Sequence, residues 1–559
     1  MKRVLSVILT LILLLSMFSA AFAYVDIDTR RGKMPVVLIT GDAEAIVDAD
    51  DNRVFQIGEL GETFDNVEDG NMKESVKNVL LPFLTKGLIG GDYDEYYEKL
   101  EQEIGELFEK VRLDENGNPR YGTGVSSGRR NSMLPENIKD EKAEEDGTYG
   151  CYDYHFWYDW RLDPMQIADD LHNYILRVRE VTGAEKVGLI SSCLGTNVCM
   201  AYIAKYPDAF PMELNGFGVN AALINGSTFM SEAISGKFHL DGNGLRRLFT
   251  DANEWGWLDV SELAIATIDL AEKSGVLKGM STALRKTLYD KMVEGVTSAL
   301  ALATFFTMPG YWACISADRY DTAKNYVFGP EGSEKRQKYA GLIAKLDNYH
   351  NTVSEHVSEL MQSIHDKGVN LCITAKYGFQ LVAICESDEV IGDQFSSLTD
   401  ASFGATTAPT IYDTLSDDYI AQRVAEGKGK YISPDKQVDA STCQFPDYTW
   451  FVKGASHSER TGVEDDIMFG VTTADRQLTI DDIKYTQFMV YDKNAHTMEP
   501  MTAENCHTEL WTADRTEDHP KTALQKLKAL YPECGLYLSL LGFKTQYETV
   551  EQMARGEII

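Results

Sequence analysis

The chain of 559 residues contains no Cys-x-x-Cys pair, although it holds nine cysteines. Cys151, Cys193, Cys199, Cys314, Cys372, Cys385, Cys443, Cys506 and Cys534 stand singly. That spacing excludes a zinc ribbon and a thioredoxin-like redox motif, and it does not resemble a compact disulfide framework. No His-x-x-x-His spacing with a partner Glu occurs, and Asp48-Ala49-Asp50-Asp51-Asn52 reads as a solvated acidic loop rather than a cation site, so neither a metal nor a cofactor is implied. Basic charge is scarce: 53 Lys and Arg face 86 Asp and Glu, for a net charge of −33. Phosphates would be repelled over most of such a surface, which excludes a nucleic-acid partner and disfavours docking on anionic membranes. Internal repeats, low-complexity tracts and clear linkers are also missing. A 44% hydrophobic content excludes wholesale disorder.

Residues 1–23 read as a secretory signal peptide. Lys2 and Arg3 precede an apolar run from Val4 to Phe18, and Ala21-Phe22-Ala23 is a small-x-small cleavage site. The run is shorter than the ~20 residues a spanning helix needs, so the expected product is secreted, extracellular or periplasmic. A second uncharged stretch, Gly295 to Ala317, is interrupted by Pro309-Gly310 and reads as a buried cap helix or a lid over an apolar pocket.

Short apolar runs alternate with helical patterns, as in a parallel sheet covered by helices. Met34 to Thr40 predicts a buried strand; Phe156 to Trp160 and Lys186 to Ser191 predict two more, with a helix over Met165–Val181 between them. Residues 85–150 read as polar surface excursions. Helix Leu194–Tyr206 and the apolar stretch Leu214–Ile224 follow. Strand character returns at Val369–Thr374, Phe379–Cys385, Tyr448–Lys453 and Tyr485–Tyr491, with a helix near Thr522–Leu530. The implied division is a core over 24–228 and 367–460, a helical insertion over 229–366, and a C-terminal extension over 461–559.

The segment Lys186 to Asn197 (KVGLISSCLGTN) carries the most chemistry. In a nucleophile elbow the central residue sits in a strained strand-to-helix turn, and the residues two before and two after must be small. Centring on Ser192 would flank it with Ile190 and Leu194, and centring on Ser191 would flank it with Leu189 and Cys193. Centring on Cys193 places Ser191 and Gly195 there, so Cys193 is the favoured nucleophile. Tyr158-Asp159-Trp160-Arg161, a helix, and this elbow together resemble the lecithin:cholesterol acyltransferase-type branch of the α/β-hydrolase lipases, with Cys in place of the nucleophilic Ser. Thr307 to Ile315 (TMPGYWACI) is similar to the Pro-Gly-x-Trp stretch of that family's cap. The resemblance implies an α/β-hydrolase fold, a mostly parallel sheet flanked by helices with an inserted helical cap.

In that fold the order is nucleophile, acid, then His after the last core strand. His457, behind TWFVKGAS, fits best, with His496 the runner-up. Asp388 and Asp435 compete for the acid, and Asp388 is preferred because it follows an expected strand. The oxyanion hole would combine backbone N–H groups of Leu194 and of Asp42, in a loop that lacks the family's Gly-rich segment. The expected function is a secreted hydrolase or acyltransferase acting on lipid-like carboxylic esters through a Cys-His-Asp triad. Its implied partners are a small-molecule or lipid ester and transient contact of the cap with a lipid surface; no protein partner is implied. The alternative is a catalytically inactive hydrolase-like binding or surface protein.

Overall fold

The computed structural model describes residues 31–41, 44–55, 82, 86–87, 91–126, 147–150, 153–237, 247, 291, 294–295, 305–383, 385–459, 461–492 and 495–506. The segments read as a signal peptide and as the 522–530 helix lie outside them, as do Cys151 and Cys534. Eight strands build the central sheet: β1 (Val36–Ile39), β2 (Tyr154–Phe156), β3 (Val187–Ser192), β4 (Leu214–Asn220), β5 (Asn370–Tyr377), β6 (Thr449–Lys453), β7 (Phe488–Asp492) and β8 (Thr497–Pro500). Their spatial order is β8-β7-β6-β5-β4-β3-β1-β2. Every neighbouring pair is parallel except β7 with β8.

Strands covered on both faces read as continuous apolar runs, and β3, β5 and β6 are buried along their whole length. Successive side chains alternate between two cores. Val37, Ile39, Leu189, Val219 and Ile373 join the core that contains helices α1 (Pro164–Thr182) and α2 (Gly195–Lys205). Val36, Leu38, Ile190, Cys372 and Trp450 join Ile467, Met468 and Val471 of another helix, Gly462–Thr472. Each fully buried Val, Leu or Ile contributes about 1.5–3 kcal/mol. Helix α1 starts where the sequence supplies its stop and start signals: the Asp163 side chain accepts from Met165 N, Pro164 opens the helix, and Gly183 closes it in the left-handed conformation.

Several segments differ from expectation. The 461–559 stretch is not a mere extension in its described part, because helix Gly462–Thr472 packs on β3, β4 and β5, and β7 and β8 extend the sheet. Among the described residues of Phe379–Cys385, Phe379–Gln380 form a strand, which lies outside the central sheet and pairs with Ile391–Gly392. Within the polar 85–150 stretch, Tyr96, Leu100, Phe108 and Val111 enter the main core, the first two from the acid-rich helix Asp94–Leu107. Residues 305–366 are helical, and Phe305, Phe306, Met308, Tyr311 and Trp312 are buried in the same core as the sheet. Among the described residues, no helix is long and apolar enough to cross a membrane.

Candidate active site

Strand β3 ends at Ser192 and α2 begins at Gly195, so the chain turns sharply in two residues. Cys193 makes that turn with φ +55°; Ser191 and Ser192 remain in the strand. Such a conformation costs a non-glycine residue about 1–3 kcal/mol and persists only when its surroundings hold it. Here Cys193 N donates to Asn220 O at 3.2 Å, and Cys193 O accepts from Thr196 N at 3.0 Å and Thr196 Oγ1 at 2.6 Å. The small flanking residues have distinct reasons. The Ser191 hydroxyl tucks under the turn and donates to Gly218 O at 3.1 Å. A Cβ on Gly195 would lie 2.7 Å from Thr40 O and 2.9 Å from Ile39 O, so the helix start rests directly on the end of β1.

The loop after β1 passes over the thiol. A Cβ on Gly41 would come within 2.9 Å of Cys193 Sγ and 3.7 Å of Leu194 N. The bare α-carbon of Gly41, the thiol and the first N–H beyond it therefore lie side by side. Asp42 falls outside the described residues. Around it the loop is clasped from both sides: Tyr158 Oη donates to Thr40 O at 2.8 Å, and Trp160 Nε1 donates to Glu44 O at 3.1 Å. Arg161 is fully buried and makes a bidentate pair with Asp159, at 2.9 Å and 2.7 Å. Its guanidinium also donates to Val111 O and Thr123 O, at 2.8 Å and 3.2 Å. The Tyr-Asp-Trp-Arg segment is thus the brace of the loop beside Cys193.

His457 lies in the loop after β6 and is buried. Its imidazole meets Asp393: Nδ1 to Oδ2 is 2.7 Å, and His457 N donates to Asp393 O at 2.9 Å. Asp393 Oδ1 accepts from Phe395 N at 3.1 Å and Ser396 N at 2.9 Å. Burial pushes the Asp393 carboxyl up, but the charge and hydrogen bond of His457 and these two N–H groups outweigh it and hold the group below the usual carboxylate range. An ionised carboxylate only accepts, so Nδ1 carries a proton towards it and Nε2 is the ring nitrogen left for other chemistry. Nε2 is buried and has no hydrogen-bond partner among the described residues.

The carboxylate against His457 is therefore Asp393, not Asp388 or Asp435. Asp388 pairs with Arg247 at 3.2 Å. Asp435 is held by Lys453 at 2.8 Å, with Tyr377 Oη at 3.0 Å. The runner-up His496 is exposed at the β7–β8 turn, 3.2 Å from Tyr491 Oη. The local signal for Asp393 is GDQFSS: a short acceptor followed by two N–H groups that fold back onto it. The preceding Gly392 closes the turn, since a Cβ there would lie 2.2 Å from Ser396 O.

Cys193, Asp393 and His457 follow β3, β5 and β6, whose parallel order puts all three at the carboxyl edge of the sheet, where ligand sites of open α/β sheets lie. Hydrogen bonds bridge the intervening strands. Thr196, bonded to Cys193 O, accepts at Oγ1 from Leu223 N at 3.3 Å. Further along that segment, Ser227 Oγ and Phe229 N donate to Phe395 O at 2.7 Å and 3.1 Å, and the Phe395 ring lies 5.1 Å from the His457 ring.

The other described cysteines are buried as well. Burial pushes the thiols of Cys199, Cys372 and Cys385 up, and that of Cys443 up to about 12. Among the described residues, none of the seven cysteines is in a disulfide, and no group of three His, Cys, Asp or Glu could hold a metal. Asp48 turns inward and accepts from Asp50 N and Asn52 N, both at 3.0 Å. Compared with protein-family models, with curated proteins and with solved structures, the chain matches none.

Proposed function

We propose that this chain is an α/β-hydrolase-type enzyme that cleaves or transfers acyl groups of carboxylic esters, with Cys193 as nucleophile, His457 as base and Asp393 as the carboxylate that orients it. The observation that carries the reading is the combination of a left-handed Cys193 between β3 and α2 with a buried His457 whose Nδ1 is spent on Asp393 and whose Nε2 is not. In the reaction, Nε2 takes the thiol proton as Sγ bonds to the ester carbonyl carbon. The carbonyl oxygen gains charge next to Leu194 N–H, at the start of an 11-residue helix whose partial positive charge favours anions. Collapse of the adduct expels the alcohol, which takes the proton back from His457 and leaves a thioester. Water then gives hydrolysis, and an alcohol gives acyl transfer. Phe395 beside the imidazole and Phe229 against Phe395, with ring centroids 5.7 Å apart, favour an apolar acyl chain.

A fluorophosphonate and an iodoacetamide probe applied to the purified protein test this. Selective labelling of Cys193 that is lost in Cys193→Ala and reduced in His457→Ala, with turnover of p-nitrophenyl esters falling by about 10⁴-fold or more in either variant, supports it. Absence of both selective Cys193 labelling and ester turnover would instead favour a binding protein that keeps the elbow without its chemistry.

A further inference from the structure

Beneath the His457 loop lies a buried lysine that the proposed mechanism does not use. Lys376, on β5, is 1% exposed, and Glu464, in the first turn of the helix Gly462–Thr472, is fully buried. The two look like an ion pair, yet Lys376 Nζ stands 3.8 Å from Glu464 Oε1, beyond hydrogen-bonding reach. Oε2 of Glu464 is engaged elsewhere: it accepts from Thr461 N at 3.1 Å and Thr461 Oγ1 at 2.8 Å, closing the helix cap. Nζ instead donates to the carbonyl of His457, at 3.3 Å, and to that of Glu459. A buried ammonium must find acceptors, and this one finds them in the loop that carries the imidazole. The same loop is drawn in by Glu459, whose Oε2 accepts from Ser456 N at 2.9 Å, and His457 N is fixed on Asp393 O.

We propose that Lys376 is a positioning residue for His457, an inference that rests on the acyl-enzyme reading above. It pins the loop backbone from below, with Glu464 as a distant counter-charge, so that the ring meets Asp393 with Nε2 presented. Lys376→Met alone would strand a buried Glu464, so the informative comparison is Glu464→Gln against Lys376→Met/Glu464→Gln. Glutamine keeps the helix cap, and the two variants then differ only in the amine. The first measurement is the far-downfield proton NMR resonance of the His457 Nδ1–H on Asp393; the second is kcat and KM on a p-nitrophenyl ester, with melting temperatures to verify folding. The expected result is loss of the resonance in the double variant and a kcat at least tenfold lower, with KM within twofold. Retention of the resonance or an unchanged kcat, whatever the loss in melting temperature, overturns the inference and leaves Lys376 a purely structural group. Should the unmodified protein lack Cys193 labelling and turnover, the acyl-enzyme reading falls on that ground, while the resonance still decides whether Lys376 holds the imidazole.

Discussion

Asp393 and Asp435 both follow β5, both have shielded carboxylates, and each meets one basic side chain. What separates them is the partner. Asp435 faces the amine of Lys453, inside a network completed by Ser433 Oγ at 2.5 Å, Tyr377 Oη and the Gln437 backbone N–H at 3.0 Å. Asp393 faces an imidazole that can take and return a proton, and one nitrogen of that ring is left over. In a chain so rich in acid, a buried carboxylate is therefore not informative by itself. On the proposed mechanism, the carboxylate that matters is the one whose partner still has a bond to make.

Substitution should separate the two sharply. Asp393→Asn removes the acceptor that fixes the imidazole tautomer and is expected to lower kcat by about 10³–10⁴-fold. Asp435→Asn should leave kcat within a few-fold, but it strands a buried Lys453 and should cost about 3–5 kcal/mol in urea unfolding. Equal kcat losses in the two variants would erase the distinction. A smaller effect is expected at the thiol side of the site. Gly41→Ala puts a methyl group against Sγ, and a displacement of the sulfur by even a fraction of an ångström should lower kcat about 10–100-fold with little change in melting temperature. The smallest effect is in acid. The folded Asp393 group is depressed, so its contribution to stability is complete above the ordinary carboxylate pKa of about 3.9 and is lost as pH falls through the folded value. Unfolding midpoints measured down to about pH 2 should therefore fall more steeply for the unmodified protein than for Asp393→Asn.

The parallel sheet and the elbow were legible because each rests on a local rule. Apolar runs mark doubly covered strands, and the crowding at Gly195 and Ser191 selects Cys193 over its two serine neighbours. The place of His457 behind β6 was legible for a similar reason, through a loop of small residues. Asp393 was not. The apolar run Phe379–Cys385 suggests a strand feeding Asp388, but the chain bends at Gly378 with φ +106°, and Phe379–Gln380 pair with Ile391–Gly392 outside the central sheet. Asp388 goes instead to Arg247, a partner that is distant in sequence and leaves no local mark. Lys376 illustrates the same limit. The strand expected over Val369–Thr374 stops short of it, and only the packing of helix Gly462–Thr472 against β5 gives it a buried counter-charge.

The run of contacts from Cys193 through Thr196, Leu223, Ser227 and Phe395 to His457 has a further consequence, for the order in which the chain folds. It joins positions 193, 227, 395 and 457, so no short piece of the chain contains the site. Non-local parallel pairing of this kind is slow, because loop-closure entropy is lost before the contacts form. The elbow can form as soon as β3 and α2 meet β1 and β4, whereas the imidazole arrives only when β6 docks. Until then a nascent molecule carries the Cys193 thiol without the His457 imidazole, so on the proposed mechanism recovery of ester turnover after dilution from urea should lag behind recovery of helical structure.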